Sequence, residues 1–323
     1  MTLVGVLTNP GSTRNLQQGV EKTRQVIEHF KGVFHYEISS IDDIPEALRR
    51  FAEFGAEVIA INGGDGTIRE VYSALLNGSP FARMPLIALL PAGKTNMMAE
   101  DFGAFGAKPE KHLRRLLERC ADGTVAEGAI ERHVLKIAGI PGQKTLYGMF
   151  LGTAGIINAI HFCRRRIYPL GLPNALSHLL VVTSIMFGTL VGGLFGRSPF
   201  RTEPIHVYID DKGMVMGRYF VVTITTLERF ILGLRPFGRE GRGPVKFLSV
   251  EDSPMTILKA LTMTLTGSIR RRTAIGVSAR NVTSVKLRMN CPLTVDGELY
   301  EVPPGHELVI SGDDRLRFVN FAA

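Results

Sequence analysis

The stretch VIAINGGDGTIREVYSALL, residues 58–76, decides the fold. Val58-Ile59-Ala60-Ile61 reads as a buried strand, and Ile68, Val71, Tyr72, Leu75 and Leu76 recur at helical spacing on one apolar face. Between them lies Gly63-Gly64-Asp65-Gly66-Thr67. Glycines at a strand-to-helix junction let the backbone turn without a Cβ clash and approach a ligand, while the amides of the helix start favour an anion. A carboxylate among phosphates repels them unless a divalent cation intervenes, so Asp65 moves the expectation from a bare phosphate to a Mg-nucleotide. A plain turn capped by Asp or Thr has the same local sequence, so the flanking segments must arbitrate.

Outward from this junction, the first third of the chain alternates strand and helix. Leu3 to Thr8 is a strand, followed by a helix whose Leu16, Val20, Ile27 and Phe30 share a face. Phe34 to Ile38 is a second strand. The next helix takes Asp43 as N-cap, Pro45 in its first turn, Leu48 and Phe51 inward, and Gly55 as its stop. The strand Pro85 to Leu90 then runs into Pro91-Ala92-Gly93-Lys94-Thr95-Asn96. Three glycine-bearing loops thus leave the C-terminal ends of strands, the edge where open α/β sheets bind ligands. From about Ile130 the pattern becomes alternating strands: His133 to Ala138, Thr145 to Leu151, Ile205 to Ile209, Arg218 to Thr225, Lys246 to Val250, Ser284 to Arg288 and Leu308 to Val319. Asp210-Asp211-Lys212-Gly213 reads as a hairpin turn. The expected architecture is an N-terminal open α/β nucleotide-binding domain over residues 1–128 and a second, antiparallel β-sandwich-like domain over 129–310.

Four blocks carry a resemblance to the diacylglycerol kinase catalytic family, which also holds the sphingosine and ceramide kinases and the bacterial lipid kinases. Leu7-Thr8-Asn9-Pro10-Gly11-Ser12 resembles its opening Asn-Pro loop, and Gly63 to Thr67 its signature. Leu90 to Asn96 is similar to its second glycine loop, and Val295-Asp296-Gly297-Glu298 to its closing Asp-Gly-Glu. Order and spacing fit over nearly the whole chain. Two places depart from the pattern: Gly241-Arg242-Gly243-Pro244 stands where relatives often carry an Asp-Gly turn, and Lys94 where many have threonine. The resemblance implies that residues 311–323 return to the first domain. It also implies that Asn9, Gly63, Gly64, Gly66, Thr67, Gly93, Lys94, Thr95 and Asn96 hold the phosphates of ATP. Asp65 would act through Mg²⁺ or orient the loop, Asp296 would be the base that takes the acceptor's proton, and Glu298 would partner the metal or nucleotide. By itself Asp-Gly-Glu is a routine hairpin turn.

Composition bounds the alternatives. A chain of 323 residues exceeds the size at which single cores usually stop growing, which favours two domains. The net charge of +8 favours anionic partners. Basic residues fall in short clusters, such as Arg164-Arg165-Arg166 and Arg270-Arg271-Arg272, without zinc-finger spacing or an RNA-binding aromatic signature, so nucleic acid is not expected. The scattered Cys120, Cys163 and Cys291 fit a reducing cytoplasm rather than a disulfide scaffold. The sequence begins directly with a strand, so no secretory leader is expected. His-Glu-x-x-His, Cys-x-x-Cys and Gly-x-Ser-x-Gly are all absent, which removes the common metalloprotease, metal-clip and hydrolase centres.

Leu179 to Phe195 contains no charged residue and sits at the lower edge of the roughly 17–25 residues that span a bilayer. A single span there would put Gly63–Thr67 and Asp296 on opposite sides of a membrane. The segment is instead expected as a buried helix, part of which lines an acyl groove or meets the membrane surface, with Arg164 to Arg166, Arg197 and Arg201 at lipid headgroups. The expectation is therefore an ATP- and Mg²⁺-dependent kinase that phosphorylates a hydroxyl of a diacylglycerol- or sphingolipid-like acceptor. It would sit in the cytoplasm, peripherally bound to the anionic inner face of the membrane, with a homodimer left open. The rivals are a NAD kinase, which by resemblance shares the Gly-Gly-Asp-Gly-Thr loop, and a non-catalytic lipid-binding protein on the same fold.

Overall fold

The computed structural model describes residues 2–106, 108–157, 203–210, 213–230, 234–270 and 274–322. The apolar segment Leu179 to Phe195 and its flanking arginines lie outside the described residues. Among those described, no helix is long and apolar enough to cross a membrane. The chain divides into two compact units, one of residues 1–134, 146–148 and 314–323, the other of residues 135–145 and 149–313.

The first unit is an open α/β layer structure. Its elements are β1 (Val4–Thr8), α1 (Thr13–Gln18), α2 (Glu21–Glu28), β2 (Val33–Glu37), α3 (Ile44–Phe54), β3 (Val58–Gly63), α4 (Asp65–Gly78), β4 (Leu86–Pro91), α5 (Met97–Asp101), α6 (Pro109–Ala121) and β5 (Ile130–His133). The sheet begins in the order β2-β1-β3-β4, and these four strands pair in parallel. Strands β1, β3 and β4 are buried on both faces, which explains their unbroken apolar runs. Ile68, Val71, Tyr72 and Leu75 form the buried face of α4, and α3 packs beside it. The helix expected from Leu16 to Phe30 is instead two helices, because Gly19 adopts φ 74° and ends α1; Leu16 is left 71% exposed while Val26 turns inward. Asp43 precedes α3, but its carboxylate accepts from the amides of Ser39 and Ser40 and caps the short 3₁₀ turn before that helix.

The second unit is built mainly from antiparallel strands. Its first strand is β6 (Leu135–Ala138), while β7 (Leu146–Gly148) belongs to the first unit, where Tyr147 N–H donates to Ser73 Oγ on α4 at 3.0 Å. There follow β8 (Phe150–Ala154), β9 (Pro204–Ile209), β10 (Met214–Thr225), β11 (Glu240–Gly241), β12 (Val245–Glu251), α7 (Pro254–Leu265), β13 (Val277–Val282), β14 (Ser284–Arg288), β15 (Leu293–Val295), β16 (Glu298–Tyr300), β17 (Glu307–Ser311) and finally β18 (Arg315–Phe318). Strand β10 joins two sets of strands. Met214 to Arg218 pair with β9, whereas the half after an irregularity at Tyr219/Val221 pairs with β12 and β8. Strands β9 and β10 pair antiparallel, as the expected hairpin requires, while Asp211 and Lys212 of its turn lie outside the described residues. α7 packs Ile257, Ala260 and Met263 onto Leu248, Val250 and Val277.

Three stretches expected as single strands are each broken in two. His133 to Ala138 splits at Val134, whose amide donates to Asp314 O, and Thr145 to Leu151 splits at Met149. Leu308 to Val319 splits into β17 in the second unit and β18 in the first, where β18 pairs with β4 and β5. The return is fixed by aromatic packing: Phe318 stacks on Phe102 at 4.2 Å and meets Tyr72 edge-on at 5.8 Å.

Candidate active site

Three loops converge at the C-terminal ends of β1, β3 and β4. The first follows β1. Asn9 Oδ1 accepts from Gly11 N–H at 2.9 Å, a local Asx bond that fixes the turn, and Asn9 Nδ2 donates to Thr67 Oγ1 at 2.8 Å. Ser12 Oγ accepts from Gly64 N–H at 3.2 Å. The second loop is Gly63–Thr67. α4 begins with Gly64 as N-cap and no side chain caps it, so neither Asp65 nor Thr67 plays the capping role of a plain turn. Its first intrahelical bond runs from Ile68 N–H to Gly64 O, which leaves the amides of Asp65, Gly66 and Thr67 ahead of the helical ladder.

The third loop is closed by Asn96, buried and in the left-handed region at φ 54°, whose Oδ1 accepts from Gly93 N–H at 2.7 Å. It meets the second loop backbone to backbone. A Cβ on Gly93 would lie 2.7 Å from Gly64 Cα, and one on Gly64 would lie 3.2 Å from Gly93 Cα. Gly93 therefore requires glycine for packing, and a Cβ on Gly64 would push its neighbour aside. Asn9, Gly63, Gly64, Asp65, Gly66, Thr67, Gly93, Lys94, Thr95 and Asn96 thus sit on three adjoining loops of one unit.

Asp65 points across to the third loop. Its two carboxylate oxygens accept from Met97 and Met98 N–H, both at 3.3 Å, at the start of α5. These bonds are long for a charged acceptor, which usually holds its donor at about 2.7–2.9 Å. Burial therefore outweighs them and pushes the Asp65 carboxyl up to about 6. Burial and then the neighbouring Asp65 charge raise Glu100 as well. Among the described residues no group of three or more His, Cys, Asp or Glu side chains gathers to hold a metal ion.

Arg14 escaped the sequence reading. Its amide donates to Ala92 O at 2.9 Å, which ties the first loop to the third. Its buried Nε has no hydrogen-bond partner, and none of the ion pairs of the described residues includes its guanidinium. An arginine without a carboxylate beside three glycine loops is a ready cation for phosphate. The sequence signal was its position four residues after Pro10.

Asp296 and Glu298 belong to the second unit, on the turn between β15 and β16, where Val295 pairs with Glu298. Asp296 and Gly297 both have positive φ, 48° and 90°, the pairing of a tight type I′-like hairpin. Yet Asp296 is only 4% exposed. Its carboxylate accepts from Phe150 N–H at 2.9 Å and from Met149 N–H at 3.2 and 3.3 Å, and its own amide donates to Phe150 O at 2.9 Å. Glu298, by contrast, is exposed. The Gly241–Pro244 turn carries no carboxylate; its backbone lies so close to β13 that a Cβ on Gly241 would fall 2.1 Å from Asn281 O.

Residues 4–127 match the family model of the diacylglycerol kinase catalytic domain. No curated protein matches the chain. Among solved structures, one of a candidate diacylglycerol kinase from Bacillus anthracis str. Sterne is 16% identical with a TM-score of 0.65, and covers 99% of this chain and 97% of that one. A structure of a diacylglycerol kinase from the same organism is 14% identical with a TM-score of 0.60, over 98% and 96% of the two chains. Residues 4–127 are thus similar to the diacylglycerol kinase catalytic domain, and the whole chain has the fold of these neighbours, an α/β domain followed by a β domain.

Proposed function

We propose that the protein is an ATP-dependent lipid kinase that transfers the γ-phosphoryl group to a hydroxyl of a diacylglycerol- or sphingolipid-like acceptor. The observation that carries this reading is the three-loop cradle. It offers the unladdered amides of Asp65, Gly66 and Thr67, the bare backbone at Gly64 and Gly93, and Arg14, whose buried Nε has no hydrogen-bond partner among the described residues. Phosphoryl transfer asks mainly for positioning and charge neutralisation, and such a surface supplies both. The family match to residues 4–127 supports a lipid acceptor over NAD.

Asp65 acts in this reading as the brace between the second and third loops, since its oxygens are engaged by Met97 and Met98. The side chains gathered here do not form a metal cage. Mg²⁺ fits as an ion that arrives on the nucleotide's phosphates, the usual manner for this strongly hydrated cation, with Glu298 as an outer partner. Asp296 is the proposed base: two amides orient its carboxylate, and a carboxylate so held can accept the acceptor hydroxyl's proton as the oxygen attacks phosphorus. Action at an anionic membrane face follows from the acceptor's insolubility and the +8 charge.

The test is transfer of label from γ-labelled ATP by the purified protein to diacylglycerol, ceramide, a sphingoid base and NAD in parallel. Label in a lipid supports the reading. Label in NAD alone, or ATP-independent lipid binding with no transfer, overturns it. Vesicle co-sedimentation at rising salt tests the peripheral attachment, which screening should weaken.

A further inference from the structure

Asn15 lies on α1 and has no place among the residues proposed to hold phosphate, yet it is 4% exposed and its side chain reaches the first loop and the end of β3 at once. Nδ2 donates to Asn9 O at 2.8 Å and to Asn62 O at 3.3 Å. An amide NH₂ has two protons, enough to serve both carbonyls. Asn9 N–H also donates to Asn62 O, at 3.0 Å, so the three residues close a ring that joins the first loop to the end of β3. The two carbonyls belong to residues that matter for the cradle. Asn9 holds Thr67 through its side chain, and Asn62 immediately precedes Gly63-Gly64.

We infer that Asn15 is a positioning residue for nucleotide binding, which fixes the spacing of the Asn9 and Gly63–Thr67 loops through their carbonyl oxygens without touching the nucleotide. The inference rests on the reading of the cradle as an ATP site. Binding donors that are set in place before the ligand arrives spare it the cost of ordering them, so a loosened ring weakens affinity before it affects the fold. Asn15→Ala removes the bridge, and Asn15→Asp sets a carboxylate against two carbonyl oxygens.

A matched control is available on the other side of the same strand end. Asn62 Nδ2 donates to Thr23 Oγ1 at 3.3 Å, where Thr23 is equally buried on α2. Thr23→Val cuts that bond and leaves both loop carbonyls bridged.

The experiment is calorimetric titration of Mg-ATP into wild type, Asn15→Ala, Asn15→Asp and Thr23→Val, with melting temperatures and steady-state kinetics on the same preparations. Affinity for ATP should fall about 10-fold in Asn15→Ala and further in Asn15→Asp, with the KM for ATP rising in step and the KM for lipid unchanged. Thr23→Val should melt earlier but bind ATP within about twofold of wild type. Wild-type affinity in folded Asn15→Ala, or an equal loss in Thr23→Val, overturns the proposal. Asn15→Ser, whose hydroxyl is too short to reach both carbonyls, carries the same test should Asn15→Asp not fold, and wild-type affinity in it is equally fatal. Absence of ATP binding in the wild type would defeat the nucleotide reading itself, a result distinct from any of these.

Discussion

Asp65 is half-buried and Asp296 buried, yet both stand beside a glycine and both have carboxylates that accept from two consecutive backbone amides. They differ in what those amides belong to and how closely they come. Asp65 takes the start of α5 at 3.3 Å on each oxygen, bonds too long to offset its burial, so its carboxyl is pushed up to about 6. Asp296 takes the first amide of β8 at 2.9 Å, from a backbone held in the left-handed region by the turn itself. The first arrangement braces two loops with an uncomfortable charge. The second fixes a carboxylate in one orientation, which suits proton transfer better than load sharing. Identical residue types in similar Asp-Gly contexts are thus held differently by the strands and helices that reach them.

The largest effect expected from this contrast is chemical. Asp296→Asn keeps one oxygen for Phe150 N–H and tolerates the turn, but cannot act as a carboxylate base. Lipid phosphorylation should fall by about 10²–10⁴-fold, with ATP affinity retained and a stability loss of about 1 kcal/mol from the amide NH₂ facing Met149 N–H. Turnover per folded molecule close to wild type would reduce Asp296 to a turn residue.

Next comes the junction that Asp65 braces. Gly93→Ala places a methyl 2.7 Å from Gly64 Cα, and backbone cannot step aside as a side-chain tip can. The loops should separate at a cost of about 1–3 kcal/mol, seen as a 10- to 100-fold weaker affinity for ATP by calorimetry. Unchanged affinity would show that the contact between the glycine loops is dispensable.

Asp65→Asn tests the charge directly. A carboxyl whose folded-state value is raised above its ordinary 3.8 contributes stability that is fully present below that value and lost as pH rises towards about 6. The ligand-free asparagine variant should therefore gain on wild type between pH 4 and pH 7, by up to about 3 kcal/mol, when thermal melts are compared at the two ends. Phosphoryl transfer should nonetheless collapse. A pH-independent difference in melting would remove the buried charge from the account.

The smallest effect is expected at Glu298. It is exposed beside Asp296, and Glu298→Gln should raise the KM for Mg-ATP by only a few-fold, about 1 kcal/mol or less, without altering the melt. A loss as large as that of Asp296→Asn would shift the catalytic weight to the exposed side of the turn.

The α/β nature of the first unit was determined by sequence alone, because β1, β3 and β4 are continuous apolar runs that make sense only when covered on both faces, and because each runs into a glycine loop. The same patterning placed Asn9, Gly63–Thr67 and Gly93–Asn96 on the loops that follow those strands. What it could not determine is anything set by contacts distant along the chain. The split of residues 307–318 between two sheets depends on Phe318 finding Phe102 and Tyr72, a match of shapes that no local period encodes. By itself Asp-Gly-Glu read as a routine hairpin turn, because the amides of Met149 and Phe150 that engage Asp296 lie far upstream. Arg14 and Asn15 carry no motif at all. Their significance arises only where folding leaves one guanidinium without a carboxylate among the described residues and brings one amide within reach of two carbonyls, and such pairings are decided by tertiary structure because hydrogen bonds need groups in place, not residues in order.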